Sequence, residues 1–154
     1  MLHPDLEKAI RRALEDATSR RHEYAGLEHL LLALLDDDKT VDVIRHCGGD
    51  PTRLRGKLTT YLTNEVEALP DDVDDHDDEE RSAQPTIGFA RVIQRAVNHM
   101  IGAGKEQAQG PNVLVAMFAE PDSHAVFFLK EEGINRLDVV SFISHGISKL
   151  LPAR

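Results

Sequence analysis

The apolar positions of this chain follow a helical period, and the pattern occurs twice. Leu6, Ile10, Ala13, Leu14 and Ala17 fall on one stripe of an amphipathic helix. Pro4 suits its first turn, where a missing N–H costs nothing, and the stripe predicts a helix ending near Arg21. Residues 27 to 35 read as a short helix without a polar face, because Leu30 to Leu32, Leu34 and Leu35 surround it. Such a helix belongs at the buried centre of its bundle. A third helix from about Thr40 stops at Cys47, where Gly48 and Gly49 supply the left-handed conformation common at helix ends. The fourth opens with Asp50 as N-cap and Pro51 in the first turn, and turns Leu54, Leu58, Tyr61 and Leu62 inward.

The same pattern returns 83 residues later, where Phe89, Ile93, Ala96, Val97 and Met100 repeat the first stripe. At that shift the run Leu30 to Leu35 meets Val113 to Phe118, while Val43, Ile44 and Leu54 fall on Val126, Phe127 and Leu137. Thr86 caps a helix from about Ile87 to Ile101, broken by Gly102 and Gly104. Pro111 starts a second buried helix over Asn112 to Phe118. Asp122 or Ser123 caps the next, which stops at Gly133, and Asn135 caps a last helix whose Leu137, Val140, Phe142 and Ile143 face the core. No stretch alternates with period two, so no sheet is expected. The fold class is all-α, a pseudo-twofold tandem repeat of two four-helix bundles with about eight short helices. Repeat one covers about 2–67 and repeat two about 86–149.

Charge changes the picture mainly between the repeats. Of the formal net charge of −9, seven units lie in residues 71 to 81, where eight acids face only Arg81. Residues 68–85, bounded by Pro70 and Pro85, are therefore expected to be a solvated, mobile linker, and the folded body to be nearly neutral. With 27 acidic and 18 basic residues a nucleic-acid partner is not expected. No apolar run approaches the roughly 20 residues of a membrane span, and no signal segment is recognised, so the chain is expected to be cytoplasmic and free of membrane partners. The single Cys47 leaves no internal disulfide.

Several runs carry a resemblance: Arg21-His22-Glu23-Tyr24, Glu28-His29-Leu30-Leu31-Leu32-Ala33-Leu34-Leu35, Gln84-Pro85-Thr86, Asn112 to Ala116, and Arg136 to Gly146. Over roughly residues 2 to 149 the chain resembles the N-terminal domains of ClpA-type chaperones, within the Clp N-domain family. ClpC and ClpB N-domains resemble it more distantly. The resemblance implies a non-catalytic module of a hexameric ATP-dependent unfoldase that feeds the ClpP protease, a module that docks the ClpS adaptor and contacts some protein substrates directly. It carries adaptor binding onto Glu23, Glu28, Thr86 and Arg91, with His22, Tyr24, Gln84 and Pro85 as neighbours. A ClpC-like or free-standing domain using another adaptor is the alternative. The isolated domain is expected to be a monomer.

The residues agree with a non-enzyme. No Gly-Lys-Ser or Gly-Lys-Thr occurs to cradle nucleotide phosphates, so ATP is expected only in modules beyond this chain, and no cofactor within it. The eight histidines lack the clustered spacing of a zinc site, and His22 and His29, seven apart, are separated by Gly26, so no metal is expected and surface histidines are the plain reading. A small hydrolase, using Cys47 with His46 or a His-based metal site, is a remote alternative, because the histidines lack ligand spacing and adjacent helical residues point about 100° apart. Ser144 and His145 fail as a pair for the same reason. His29 falls on Asn112 and Glu28 on Pro111 at the shift of 83, and these disagreements between the halves are where a docking surface is expected.

Overall fold

The computed structural model describes residues 2–70 and 82–150. Eight helices form: α1 (Pro4–Ser19), α2 (Leu27–Leu34), α3 (Asp38–His46), α4 (Pro51–Asn64), α5 (Ile87–Gly102), α6 (Gly110–Met117), α7 (His124–Glu131) and α8 (Arg136–His145). Their starts obey side-chain chemistry. Asp37, Asp50, Thr86, Ser123 and Asn135 each accept a backbone N–H at an N-cap, so Asp37, not Thr40, opens the third helix and Ser123 opens the seventh. The all-α reading holds, with one addition that the absence of alternation concealed. Two-residue strands β1 (Tyr24–Ala25) and β2 (Gln84–Pro85) pair in parallel.

That pairing has a twin. Leu2 forms a parallel bridge with Ala108, and adding 83 to Leu2 and subtracting it from Ala108 gives Pro85 and Ala25. The hydrogen bonds match too: His3 N donates to Ala108 O and Thr86 N to Ala25 O, both at 2.9 Å. Each repeat thus pins the lead-in of its first helix to the lead-in of the other repeat's second helix. The third helices cross over as well, since α3 packs on α6 and α8 while α7 packs on α2 and α4. The two four-helix units are interlocked around one continuous core, with no residue of α2 or α6 exposed.

The repeat register is corrected beyond α2. Gly48 and Gly133, both left-handed at the ends of α3 and α7, are 85 apart, as are the caps Asp50 and Asn135. The α6–α7 connection is three residues longer than the α2–α3 connection and α7 is one residue shorter than α3, a net shift of two, so Ile44 matches buried Leu129 and Leu54 matches buried Val139. Phe127 and Leu137, expected inside, are exposed at 54% and 71%. Ile143 is also exposed, and Val140 and Phe142 are only partly covered. Positions equivalent to the buried Leu58 and Leu62 of α4 are Ile143 and Ile147, and there a groove of about 250 Å³ opens between α5, α6 and α8.

Residues 71–81, the acidic heart of the expected linker, lie outside the described residues. Its flanks are held by one turn at the end of α1. Leu69 N donates to Arg21 O at 2.7 Å, Arg21 Nη2 to Pro70 O at 2.6 Å, and Ala83 N to Thr18 Oγ1 at 2.9 Å. A second lock joins α4 to the end of α7. The Glu132 carboxylate, fully enclosed, accepts from Arg53 Nε and Nη2 at 2.9 and 2.8 Å and from Asp50 N at 3.0 Å, and lies 3.1 Å from Lys57 Nζ. Hydrogen bonds from Arg53, above all, hold its pKa at about 2.

Where α6 meets α3 there is no room for a side chain. A Cβ on Gly110 would fall on the Thr40 hydroxyl and the Asp37 carboxylate that cap α3. Gly110→Ala is expected to destabilise the fold by about 1–3 kcal/mol through overpacking. Gly56→Ala, in α4 with open space around it, is expected to stabilise by about 0.5–1 kcal/mol through helix propensity. Urea unfolding of both variants checks the contrast.

Candidate functional site

The β1–β2 ladder gathers most of the sequence-predicted residues onto one face. The turn after α1 places Arg21 at φ 63°, a strained left-handed conformation that redirects the chain into Glu23 and Tyr24. Glu23 is exposed, and its carbonyl accepts from Gln84 N at 3.3 Å. Tyr24 stands half in solvent, at 52%, across from Gln84. Thr86 closes the ladder and caps α5, its Oγ1 accepting from Phe89 N at 3.1 Å. Gln84 and Pro85 are exposed beside it, and Ile87 at the first position of α5 is 78% exposed.

Arg91 continues this face one turn along α5. Its guanidinium grips Glu120 with two bonds of 2.7 Å, and Arg95 reaches the same carboxylate at 3.4 Å. Those bonds, the one from Arg91 first, keep the Glu120 pKa below its ordinary value. Glu120 was missed from sequence; the signal available was two arginines four apart on the exposed side of α5 with no acid on their own helix. Also missed was an aromatic cluster beside Glu28, in which Tyr61 stacks on His124 at 4.4 Å and Phe128 meets the exposed Phe127 at 5.6 Å.

Glu28 and His22 are placed differently from their sequence readings. Glu28 is half-buried and turned across the repeats, where Oε2 accepts from Ala125 N at 3.1 Å in the first turn of α7. It borders the face and also caps a helix of the other repeat. His22, read as a surface neighbour, is buried, and so is His29. The rings meet edge to face, with His22 Nδ1 2.9 Å from His29 Nε2. The Gly26 amide donates to His29 Nδ1 at 2.9 Å. Because the amide can only donate, Nδ1 of His29 accepts and its Nε2 carries the hydrogen. That hydrogen goes to His22 Nδ1, so the hydrogen of His22 itself is carried on Nε2. Burial pushes both imidazoles down, His29 to about 4, with Coulombic repulsion next in each case.

His29 and Asn112, where the two halves disagree, play the same structural part. Asn112 Oδ1 accepts from Gln109 N at 2.8 Å, the bond that His29 makes to Gly26. Two residue types serve as the same cap. Among the described residues no three His, Cys, Asp or Glu side chains converge as metal ligands. Cys47 is buried, and desolvation raises its thiol to about 11. His46 is turned to Phe142, stacked at 4.6 Å, and to Ser148 Oγ at 2.8 Å. No nucleophile and base meet there.

Residues 1–132 match the family described as the Clp repeat (R) N-terminal domain. Over 144 residues, 94% of this chain, the sequence is 44% identical to the ClpA homolog protein of Fuscovulum blasticum. The match spans 18% of that relative, so the chain is similar to less than a fifth of its length. The fold is similar to the Hsp104 N-terminal domain of Candida albicans, with a TM-score of 0.73, 13% identity, and 93% and 91% of the two chains covered. It is also similar to a ClpV N-domain solved in complex with a VipB peptide, with a TM-score of 0.69, 18% identity, and 97% and 90% covered.

The buried, protonated thiol generates a direct test. Cys47 in the native protein is expected to react with a thiol reagent at pH 8 at least about a hundredfold more slowly than in urea-unfolded chain, because both access and thiolate fraction are reduced. Equal rates would contradict this placement.

Proposed function

The chain belongs to the Clp repeat N-terminal domain family, and on that footing we propose that it is the adaptor- and substrate-docking domain of a ClpA-type unfoldase. A ClpS-type adaptor would sit across Tyr24, the β2 lead-in and the first turns of α5. The observation that carries this reading is the β1–β2 pairing, which assembles Glu23, Tyr24, Gln84, Pro85, Thr86 and Arg91 from two distant parts of the chain. The face combines exposed apolar groups, Tyr24 and Ile87, with charges of both signs at its rim. That composition suits a protein partner, with apolar centres contributing affinity and rim charges setting encounter rate and register.

Glu28 and Thr86 both flank Gly26, where an added Cβ would lie 3.1 Å from Glu28 Oε1 and 3.9 Å from the Thr86 methyl. His22 contributes from beneath, by fixing the backbone of the loop. In the ClpV relative a peptide is the bound partner, which supports protein segments as the ligand class here. On this reading the ATPase modules belong to the remainder of a longer parent, a cytoplasmic hexamer that hands substrates to a ClpP-type protease. This domain would supply recognition without catalysis, cofactor or metal.

Titration with a purified ClpS-type adaptor tests the assignment. Wild-type chain is expected to bind, and Glu23→Lys or Arg91→Glu to weaken binding about three- to tenfold, the range for rim charges. Glu28→Lys is expected to cost more, because it removes the acceptor of the Ala125 amide as well. Unchanged affinity in both Glu23→Lys and Glu28→Lys removes the site, and no binding by wild type removes the function.

A further inference from the structure

The His22–His29 relay lies directly beneath the loop that bears the proposed docking face, and it occurs only in that half of the molecule. In repeat two the equivalent positions are Asn112, which cannot titrate, and Lys105, which is exposed. The capping bond itself is kept in both repeats, at 2.9 Å from Gly26 and 2.8 Å from Gln109. A neutral amide therefore suffices to hold such a loop. What repeat one adds is a second imidazole, buried, in line, and bonded to the first.

The wiring permits one protonation state. His29 accepts from the Gly26 N–H at Nδ1 and donates from Nε2 to His22 Nδ1, so both of its nitrogens and the inner nitrogen of His22 are engaged. A proton added to His29 arrives at Nδ1 and faces the Gly26 N–H; one added to His22 arrives at Nδ1 and faces the His29 N–H. Either event replaces a hydrogen bond by two opposed donors. The surrounding charges are mixed: Arg20 disfavours and Asp16 favours protonation of both rings, and a charge on His22 disfavours one on His29. From α1, Asp16 and Arg20 are paired with each other at 2.9 Å. Arg12 and Arg55 share Asp36, at 3.0 and 2.9 Å, in the pocket that His29 lines. Three cations and two anions thus line the pocket beside His29.

We propose that the His22–His29 pair is a proton-operated latch that holds residues 22–26 in docking shape and releases them when it takes up a proton. The docking part rests on the reading of the preceding section; the latch itself rests on the relay. Both rings sit below the ordinary histidine value, so the released loop binds protons more readily than the latched one. The latch is accordingly full above about pH 6.5, and weakens as pH falls toward the lowered values of the closed state.

Amide exchange and imidazole NMR on the 154-residue chain test this between about pH 7 and about pH 5. Gly26 is expected to lose about tenfold in protection over that interval, while core amides such as Leu31 and Leu114 keep theirs. His29→Asn, which copies the Asn112 cap, is expected to change less than about twofold. Unchanged Gly26 protection in wild type overturns the latch without recourse to any variant, as does an equal loss in H29N. Adaptor affinity, measured at the same two pH values, is expected to fall about fivefold or more in wild type on acidification. Loop release with no adaptor binding at either pH supports the latch and removes the docking reading. Loop release with pH-independent binding overturns the link between them.

Discussion

Neither α2 nor α6 has a face to show to water, and the architecture follows from covering them. A single four-helix unit could not do so, because its own first and fourth helices close only part of the surface. Each repeat therefore lends its third helix to the other, α3 to α6 and α7 to α2. The reciprocal strand pairing at Ala25 and Ala108 fixes the depth at which the two units engage. Small residues permit the approach, most visibly Gly110 against the α3 cap. The hydrophobic requirement of two short helices thus determines a topology in which neither half is complete alone.

The sequence made the helices and the first part of the repeat legible, since a stripe such as Leu6, Ala13 and Ala17 depends only on neighbours three and four residues away. What depended on distant partners was less accessible. The shift from 83 to 85 lay in a longer α6–α7 connection and a shorter α7, and the left-handed glycines at 48 and 133 and the caps Asp50 and Asn135 mark it. Leu137 and Ile143 satisfy a helical stripe yet face outward, because α8 is shorter than α4 and covers less of its own repeat. The strands were invisible in principle, for two residues cannot display an alternation. The predicted surface residues were nonetheless brought together, apart from His22, whose burial could be inferred only once His29 was known to cap Gly26 from inside.

The face that results is built by backbone, with side chains as its furniture. The loop from Glu23 to Gly26 is held at one edge by β2, at its end by the His29 cap, and beneath by His22. Rigid support of this kind lowers the entropic cost of binding, since residues already in place lose little on association. It also concentrates control in a few bonds. Glu28 shows the economy of the arrangement: one carboxylate borders the face and ties it to α7 of the opposite repeat.

The turn that ends α1 anchors the chain on both sides of residues 71–81, through Arg21 on departure and Thr18 on return. The two repeats are therefore joined in space by these anchors, whatever the length of covalent connection between them. Closing a loop costs only about 0.6 kcal/mol more for each doubling of its length. With the flanks at Pro70 and Ala83 fixed on α1, a change in the length or charge of the sequence between them would leave the two anchored ends where they are, beside the docking face.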